Sequence, residues 1–159
     1  MINLALYHPQ IPQNTGTLLR MASCLGIHVD LIRPFGFIFS DKKLRRAGMD
    51  YLLTSDYEIH DSFEEFFKKY REGRRFVAMD VGANTIPHCE FQYQPNDILI
   101  VGSEHYGFLP ENLAQIDCRV KIPMLADRRS MNMAVSAAIV VGEALSQLKL
   151  FPKCSNAIT

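Results

Sequence analysis

Three polar loops carry the residues best suited to chemistry. Asn14 and Arg20 follow the first apolar run, Glu104 follows another, and Ser130 with Asn132 precedes the last long apolar segment. A guanidinium can stabilise a developing negative charge, amides can orient hydroxyl groups, and a carboxylate can accept backbone N–H groups. Each loop also has an ordinary structural interpretation, so the elements around them must be considered first.

The apolar runs predict a parallel α/β sheet. A strand, a polar loop, a helix and a second strand follow one another near the start of the chain, and this order is typical of a βαβ unit. In such sheets, ligands bind outside the carboxyl ends of the strands. The predicted strands are 3–7, 27–32, 57–60, 76–81, 97–101 and 118–122, with 85–96 irregular apart from a short strand around Phe91.

Polar residues next to the helical runs predict where the helices begin and end. Asn14 should cap the first helix, which should end at Gly26, and Ser62 with Glu65 resembles a capping box for a helix over 63–72. A short cationic helix is expected over 41–48. Ser130 should cap the helix over 131–148, and the free N–H groups at that helix start favour anions and polar ligand groups.

Composition limits the class of protein. With 159 residues, 48% of them apolar, we expect one domain over 1–150 and a polar tail over 151–159. No run predicts a membrane span or a signal peptide, and the four scattered cysteines favour a cytoplasmic protein with reduced thiols and no metal site. The net charge is zero, so binding to a nucleic acid would depend on local basic clusters.

The helix over 131–148 is apolar around almost its whole circumference. No broad side of such a helix can face water. We expect one face to pack on the sheet and another on a second subunit, giving a homodimer. Complete burial within one subunit is the alternative.

Taken together, the three loops resemble the motifs of the SPOUT RNA methyltransferases. The motif segments are Asn14-Thr15-Gly16 with Arg20, Gly102-Ser103-Glu104 with Gly107 and Leu109-Pro110, and Ile122-Pro123-Met124 with Ser130-Met131-Asn132. One branch is resembled in particular, the small tRNA (cytidine/uridine)-2′-O-ribose methyltransferases that act on the wobble nucleotide. Its signature corresponds to Pro34-x-Gly36-Phe37 and the segment 41–51.

The resemblance implies a fold, a cofactor and a substrate. The fold would be a parallel α/β sheet with a C-terminal trefoil knot, assembled as a homodimer through the last helix. The cofactor would be S-adenosylmethionine, with Gly102 allowing close approach of the ligand to the backbone. The substrate would be the anticodon stem-loop of tRNA, with leucine tRNAs favoured. Carried over by motif, the cofactor-binding residues are Met79, Gly102, Ile122, Ser130 and Met131.

The resemblance also implies a catalytic arginine, and the residue types themselves suggest further catalytic and RNA-binding groups. Arg20 would be the activator of the ribose hydroxyl, or an electrostatic stabiliser of the forming alkoxide, while Asn14 and Asn132 orient the ribose. His8 is a further candidate for acid–base chemistry. The basic residues expected to contact RNA are Lys42, Lys43, Arg45, Arg46, Arg128 and Arg129, with Phe35 and Phe37 as possible stacking partners for an unpaired base.

Two segments depart from the family pattern. His105 and Tyr106 stand where many relatives have Thr and Arg, with Phe108 as an extra residue, and residues 133–135 read Met-Ala-Val instead of Leu-Ser-Asn. Two alternatives stay open: another RNA ribose 2′-O-methyltransferase, or a non-catalytic module that binds RNA or a nucleotide. The presence of Arg20, Asn14 and Asn132 together favours an enzyme.

Overall fold

The computed structural model describes residues 1–39, 55–128 and 130–153. Within these ranges the chain forms seven strands and four helices. The strands are β1 (Asn3–Tyr7), β2 (His28–Ile32), β3 (Tyr57–His60), β4 (Arg75–Met79), β5 (Ile86–Pro87), β6 (Asp97–Val101) and β7 (Cys118–Lys121). The helices are α1 (Pro12–Leu25), α2 (Phe63–Tyr70), α3 (Pro110–Leu113) and α4 (Met133–Leu148).

All seven strands belong to one parallel sheet, in the order β3-β2-β1-β6-β4-β7-β5. The predicted α/β class with a parallel sheet is therefore confirmed. Strands β1, β6, β4 and β7 are consecutive in this order, so the loops at their carboxyl ends meet at one edge of the sheet.

Alternate residues of the central strands enter two separate cores. Leu4 and Leu6 of β1 pack in the larger core with helices α1 and α4, whereas Ala5 and Tyr7 pack in the smaller core with α2. The two-residue period of a strand produces this division, and helices cover both faces of the sheet. Because every residue of β1 and β6 is buried, these strands read as continuous apolar runs.

The first helix begins two residues before its predicted cap. Its N-cap residue is Ile11, with no side-chain cap, and Pro12 occupies the first turn, where its missing N–H removes no helical hydrogen bond. The prediction that Asn14 caps α1 is wrong, because the Asn14 side chain bonds to other loops. The predicted end at Gly26 is confirmed, with φ of 67° in the left-handed region.

Other boundaries agree with the predictions to within a few residues. Ser62 caps α2 by accepting a hydrogen bond from the Glu65 N–H at 3.1 Å, and Glu65 accepts one from the Asp61 N–H at 2.7 Å. The strand expected around Phe91 is not present; Phe91 instead packs against Tyr93, and the short β5 pairs with β7. The helix predicted over 41–48 lies outside the described residues.

Helix α4 buries one side and exposes another. Its buried residues face the larger core and α1, while Val135 is 50% exposed and Ile139 is 37% exposed. Complete burial of this helix within one subunit, the alternative considered from the sequence, is therefore wrong. Among the described residues, no helix combines the length and apolar character needed to cross a membrane.

A buried carboxylate stabilises the far side of the sheet. Asp30 accepts hydrogen bonds from His60 Nε2 at 2.8 Å, the Tyr70 hydroxyl at 2.9 Å and Asn3 Nδ2 at 3.2 Å. Burial alone would raise the pKa of Asp30, but its partners, His28 foremost, hold that pKa below its ordinary value. His28 lies 3.5 Å from Asp30 and 3.0 Å from Asp56, and Asp30 is the main cause of its raised pKa.

The raised pKa of His28 predicts a pH-dependent contribution to stability. This contribution is fully present below the ordinary pKa of 6.5 and is lost as the pH rises through the folded-state value. His28→Gln should therefore reduce the free energy of unfolding by roughly 0.5–1 kcal/mol more at about pH 5.5 than at about pH 8, as measured by urea denaturation. His105→Gln, at an exposed position, is the control. An equal loss at both pH values would contradict the prediction.

Candidate functional site

One carboxylate joins the loop after β6 to the loop after β1. Glu104 accepts hydrogen bonds from the backbone N–H of Gln10 at 2.8 Å, the N–H of Ile11 at 3.3 Å and Asn14 Nδ2 at 3.1 Å. Charge-assisted hydrogen bonds of this kind are stronger than those between neutral groups. Glu104 thus fixes the start of α1 against the second predicted motif.

A pair of asparagines extends this connection to the loop after β7. Asn132 Nδ2 donates to Asn14 Oδ1 at 2.9 Å, and Asn132 Oδ1 accepts from the N–H groups of Ala134 and Val135 at 2.9 and 3.3 Å. Asn132 is therefore the cap of α4, and the prediction that Ser130 caps it is wrong. The asparagine is better placed because its amide can cap the helix and bind Asn14 at once.

A cavity of about 500 Å³ lies between the three joined loops. This volume is in the usual range for a small-molecule site. Ile122, predicted to bind the cofactor, lines an adjoining cavity of about 100 Å³. The main cavity contains the other four predicted cofactor residues and both asparagines: Met79, Gly102, Ser130, Met131, Asn14 and Asn132.

The lining suits a cofactor with apolar and cationic parts. Methionine side chains supply apolar surface, and the carboxylates of Asp80 and Glu104 supply negative charge. A sulfonium and an ammonium group, as in S-adenosylmethionine, would face these carboxylates favourably. The residues present therefore fit the cofactor that the resemblance implies.

Sequence analysis missed Asp80. This residue follows β4, lines both cavities, accepts a hydrogen bond from the Val81 N–H at 2.8 Å and lies 3.5 Å from Arg119. Its side chain is 17% exposed. An acidic residue at the carboxyl end of a buried strand was the available signal, since ligands bind at that edge of the sheet.

The structure explains the glycine at position 102 by a backbone contact, whereas the sequence analysis expected close approach of a ligand. A Cβ at this position would lie 2.9 Å from the carbonyl carbon of Gly107 and 3.0 Å from its Cα. Ser103 and Gly107 close the intervening turn with two backbone hydrogen bonds of 2.8 Å. The glycine is needed for the turn to pack on itself, whether or not a ligand also approaches it.

His8 is not free for acid–base chemistry. Its side chain is 6% exposed, stacks on Tyr7 with ring centroids 3.8 Å apart, and places Nδ1 at 2.7 Å from the Tyr106 hydroxyl. Burial lowers the pKa of His8, and a hydrogen bond to the backbone of Arg33 opposes that shift. Burial therefore favours the neutral imidazole near pH 7, and its Nδ1 is engaged by Tyr106.

Two of the predicted basic residues, Arg20 and Arg128, are among the described residues, and neither lines the main cavity. Arg20 is an exposed residue of α1, at the sixth position after Asn14. Arg128 lines a neighbouring cavity of about 380 Å³ that shares Val81 and Ile122 with the smaller one. Lys42, Lys43, Arg45, Arg46 and Arg129 lie outside the described residues.

Two other groups of residues concern the predicted aromatic stacking partners and the possibility of a metal site. Phe35 and Phe37 stack on each other with centroids 5.8 Å apart and pack against the larger core, so neither ring is simply free for a base. His28, Asp30 and Glu58 bring possible metal ligands within 4.8 Å of one another. Protein donors already occupy the Asp30 carboxylate, and Lys69 pairs with Glu58, which makes this group a structural ion-pair cluster.

The Glu104 connection predicts a specific effect on cofactor binding. In Glu104→Gln, one carboxylate oxygen becomes an NH₂ group, which would face at least one of the three N–H donors and leave it without an acceptor. Affinity for S-adenosylmethionine should fall roughly 10- to 100-fold, since hydrogen bonds to a charged group contribute about 1.5–3 kcal/mol each. Calorimetry on the purified variant measures this. Glu111→Gln, an exposed position of α3, is the matched control, and equal affinities in the two variants would refute the assignment.

The chain is similar in sequence and in structure to known methyltransferases. The chain is 46% identical over 156 residues to a protein of Beijerinckia indica named tRNA (cytidine(34)-2′-O)-methyltransferase, covering 97% of this chain and 96% of that one. A solved structure described as giving insights into the 2-OH methylation of C/U34 on tRNA superposes with a TM-score of 0.86 at 40% identity, covering 94% and 97% of the two chains.

A third similarity concerns the cofactor. An AdoMet-bound rRNA methyltransferase from Sinorhizobium meliloti superposes with a TM-score of 0.82 at 25% identity, over 92% of this chain and 56% of the other. The family profile described as SpoU rRNA Methylase matches residues 1–142, which is most of the chain. With the three motif loops assembled around one cavity, the chain belongs to the SpoU rRNA methylase family.

Proposed function

We propose that this protein transfers a methyl group from S-adenosylmethionine to the ribose 2′-hydroxyl of nucleotide 34, a cytidine or uridine, in tRNA. The observation that carries the proposal is the cavity held between three loops by Glu104, Asn14 and Asn132. The names of close relatives, which cover almost the same length, support the same reaction and the same nucleotide.

The chain's own residues would hold the cofactor by shape and charge. Met79, Ile122 and Met131 offer apolar surface to an adenine ring, and Asp80 offers an acceptor for hydroxyl groups. When bound, S-adenosylmethionine supplies a methyl group activated by its sulfonium. The protein then orients and desolvates the reacting pair, which is the main contribution of protein in such reactions.

Arg20 is proposed to act on the ribose hydroxyl. A hydroxyl is a poor nucleophile until its proton is removed or its developing charge is stabilised. The guanidinium stays protonated at neutral pH, so stabilisation of the forming alkoxide is its simplest role. Asn14 and Asn132 hold each other in place and keep the loops in position, and we infer that they orient the ribose through this arrangement.

The position of Arg20 outside the cavity wall supports a shared site. We infer a homodimer through α4, in which Arg20 of one subunit serves the cavity of the other. The half-exposed Val135 and Ile139 give α4 an apolar face for such contact, and identical faces on two copies form a symmetric dimer. We also propose that the chain forms a trefoil knot within a single domain over 1–150 and that it acts in the cytoplasm.

We assign RNA binding to the basic residues of the protein, and we propose that they contact the anticodon stem-loop of the tRNA. We infer that Arg128 and Arg129, with Lys42, Lys43, Arg45 and Arg46, contact phosphates around the target nucleotide, because phosphate contacts supply most of the affinity for nucleic acid. A preference for leucine tRNAs is part of the proposal.

Mass spectrometry of tRNA nucleosides tests the reaction and the role of Arg20 together. A strain lacking this gene should lose one 2′-O-methylated nucleoside at position 34, and the wild-type gene should restore it. Arg20→Ala should restore less than about 1% of it at limiting expression, since loss of such a group costs about two orders of magnitude or more in rate.

The outcomes separate the two claims. An unchanged nucleoside profile in the deletion strain would reject the proposed reaction. Full restoration by Arg20→Ala would reject the catalytic role of Arg20 while leaving the reaction in place. Lys68→Ala, at an exposed position of α2 away from the cavities, serves as the matched control for loss of one cation.

A further inference from the structure

Tyr106 combines an exposed ring with an anchored hydroxyl. The side chain is 47% exposed, yet its hydroxyl lies 2.7 Å from Nδ1 of the nearly buried His8. An exposed tyrosine usually turns freely about its side-chain bonds, whereas this ring is held at its far end. A ring oriented in advance loses little conformational entropy when a ligand packs against it.

His8 is itself held in place by burial and by a stacked ring. It is 6% exposed and stacks on the buried Tyr7 with ring centroids 3.8 Å apart. Burial lowers the pKa of His8, and Nδ1 of a neutral imidazole shares one proton with the Tyr106 phenol across the 2.7 Å contact. The phenol is therefore used within the protein, and only the face of the ring is left for a ligand.

The backbone that carries Tyr106 is also rigid. Ser103 and Gly107 close the turn with reciprocal hydrogen bonds, and Glu104 attaches it to the N–H groups of Gln10 and Ile11. Other residues of the same turn line the main cavity. Tyr106 therefore stands on the rim of the site where the methyl group would be transferred.

We propose that Tyr106 is a stacking platform for an unpaired nucleobase of the RNA substrate, next to the cavity. This inference rests on the proposed function. Bases in an anticodon loop can leave their stack, and aromatic side chains receive such bases through their faces without reading the sequence.

Fluorescence of a substituted RNA tests the platform. The probe is an anticodon stem-loop hairpin with 2-aminopurine at position 34 or at either neighbouring position, titrated with the full-length protein. At one of these positions the wild-type protein should quench the fluorescence by stacking. Tyr106→Leu should abolish the quenching and raise the Kd for RNA about tenfold, as expected for the loss of one stacked base.

Two further variants distinguish the effect of the Tyr106 ring from the effects of its hydroxyl and of another exposed ring. Tyr106→Phe keeps the ring without its hydroxyl and should keep the quenching, with a Kd within about threefold of wild type. Phe151→Leu removes another half-exposed ring, far along the chain, and should change neither quantity. Affinity for S-adenosylmethionine, measured by calorimetry, should be unchanged in all three variants, because the ring touches RNA and not the cofactor.

Several results would overturn the proposal. Normal quenching and normal Kd in Tyr106→Leu would show that the ring does not touch a base, while wobble methylation by the wild-type protein would leave the proposed function intact. A change of oligomeric state in Tyr106→Leu, seen by light scattering, would assign the ring to a protein interface. Absence of any hairpin binding by the wild-type protein, together with no methylation, would reject both proposals.

Discussion

The site depends on a short chain of hydrogen bonds that joins three loops. Glu104 binds Asn14, Asn14 binds Asn132, and Asn132 caps the last helix, so the loops after β6, β1 and β7 are held as one unit. Polar groups removed from water cost free energy unless they are paired, and here their partners lie in other loops. Removing one link would leave its partners unpaired and loosen two loops at once.

The sheet makes this chain of bonds possible. Parallel strands bring all their carboxyl ends to one edge, and β1, β6, β4 and β7 are consecutive neighbours there. Helix α4 then has two roles, since its buried side completes the larger core while its start forms a wall of the cavity. Packing, the cofactor cavity and the proposed dimer contact are consequently coupled through one helix.

The sequence predicted the elements better than the contacts between them. Buried parallel strands read as largely continuous apolar runs, so the predicted strands 3–7, 57–60 and 97–101 agree fully and the other three shift by at most two residues. The two cap predictions failed because capping preference is local, whereas Asn14 bonds to partners 90 and 118 positions away. Gly102, predicted to bind the cofactor, lines the main cavity, but its contact with Gly107 depends on the shape of a turn that no sequence pattern specifies.

The family resemblance supplied the residues that local patterns could not. Four of the five cofactor residues that it implied line the main cavity, and Ile122 lines the adjoining one. Asp80 lies outside the three motifs, and Tyr106 was named only as a departure from the family pattern. Both depend on tertiary position, Asp80 at the end of β4 and Tyr106 through a hydrogen bond to a residue 98 positions earlier.

A double-mutant cycle on the asparagine pair tests the central claim most directly. Asn14→Ala removes one partner, and Asn132→Ser removes the other while keeping a side chain able to cap α4. Binding of S-adenosylmethionine to the two single variants, the double variant and the wild type gives the coupling energy by calorimetry. If the hydrogen bond between the loops builds the cavity, the two effects should be non-additive by about 1 kcal/mol, with the second substitution costing less once the first is made. Strictly additive effects would show that the two residues act independently and would contradict the account.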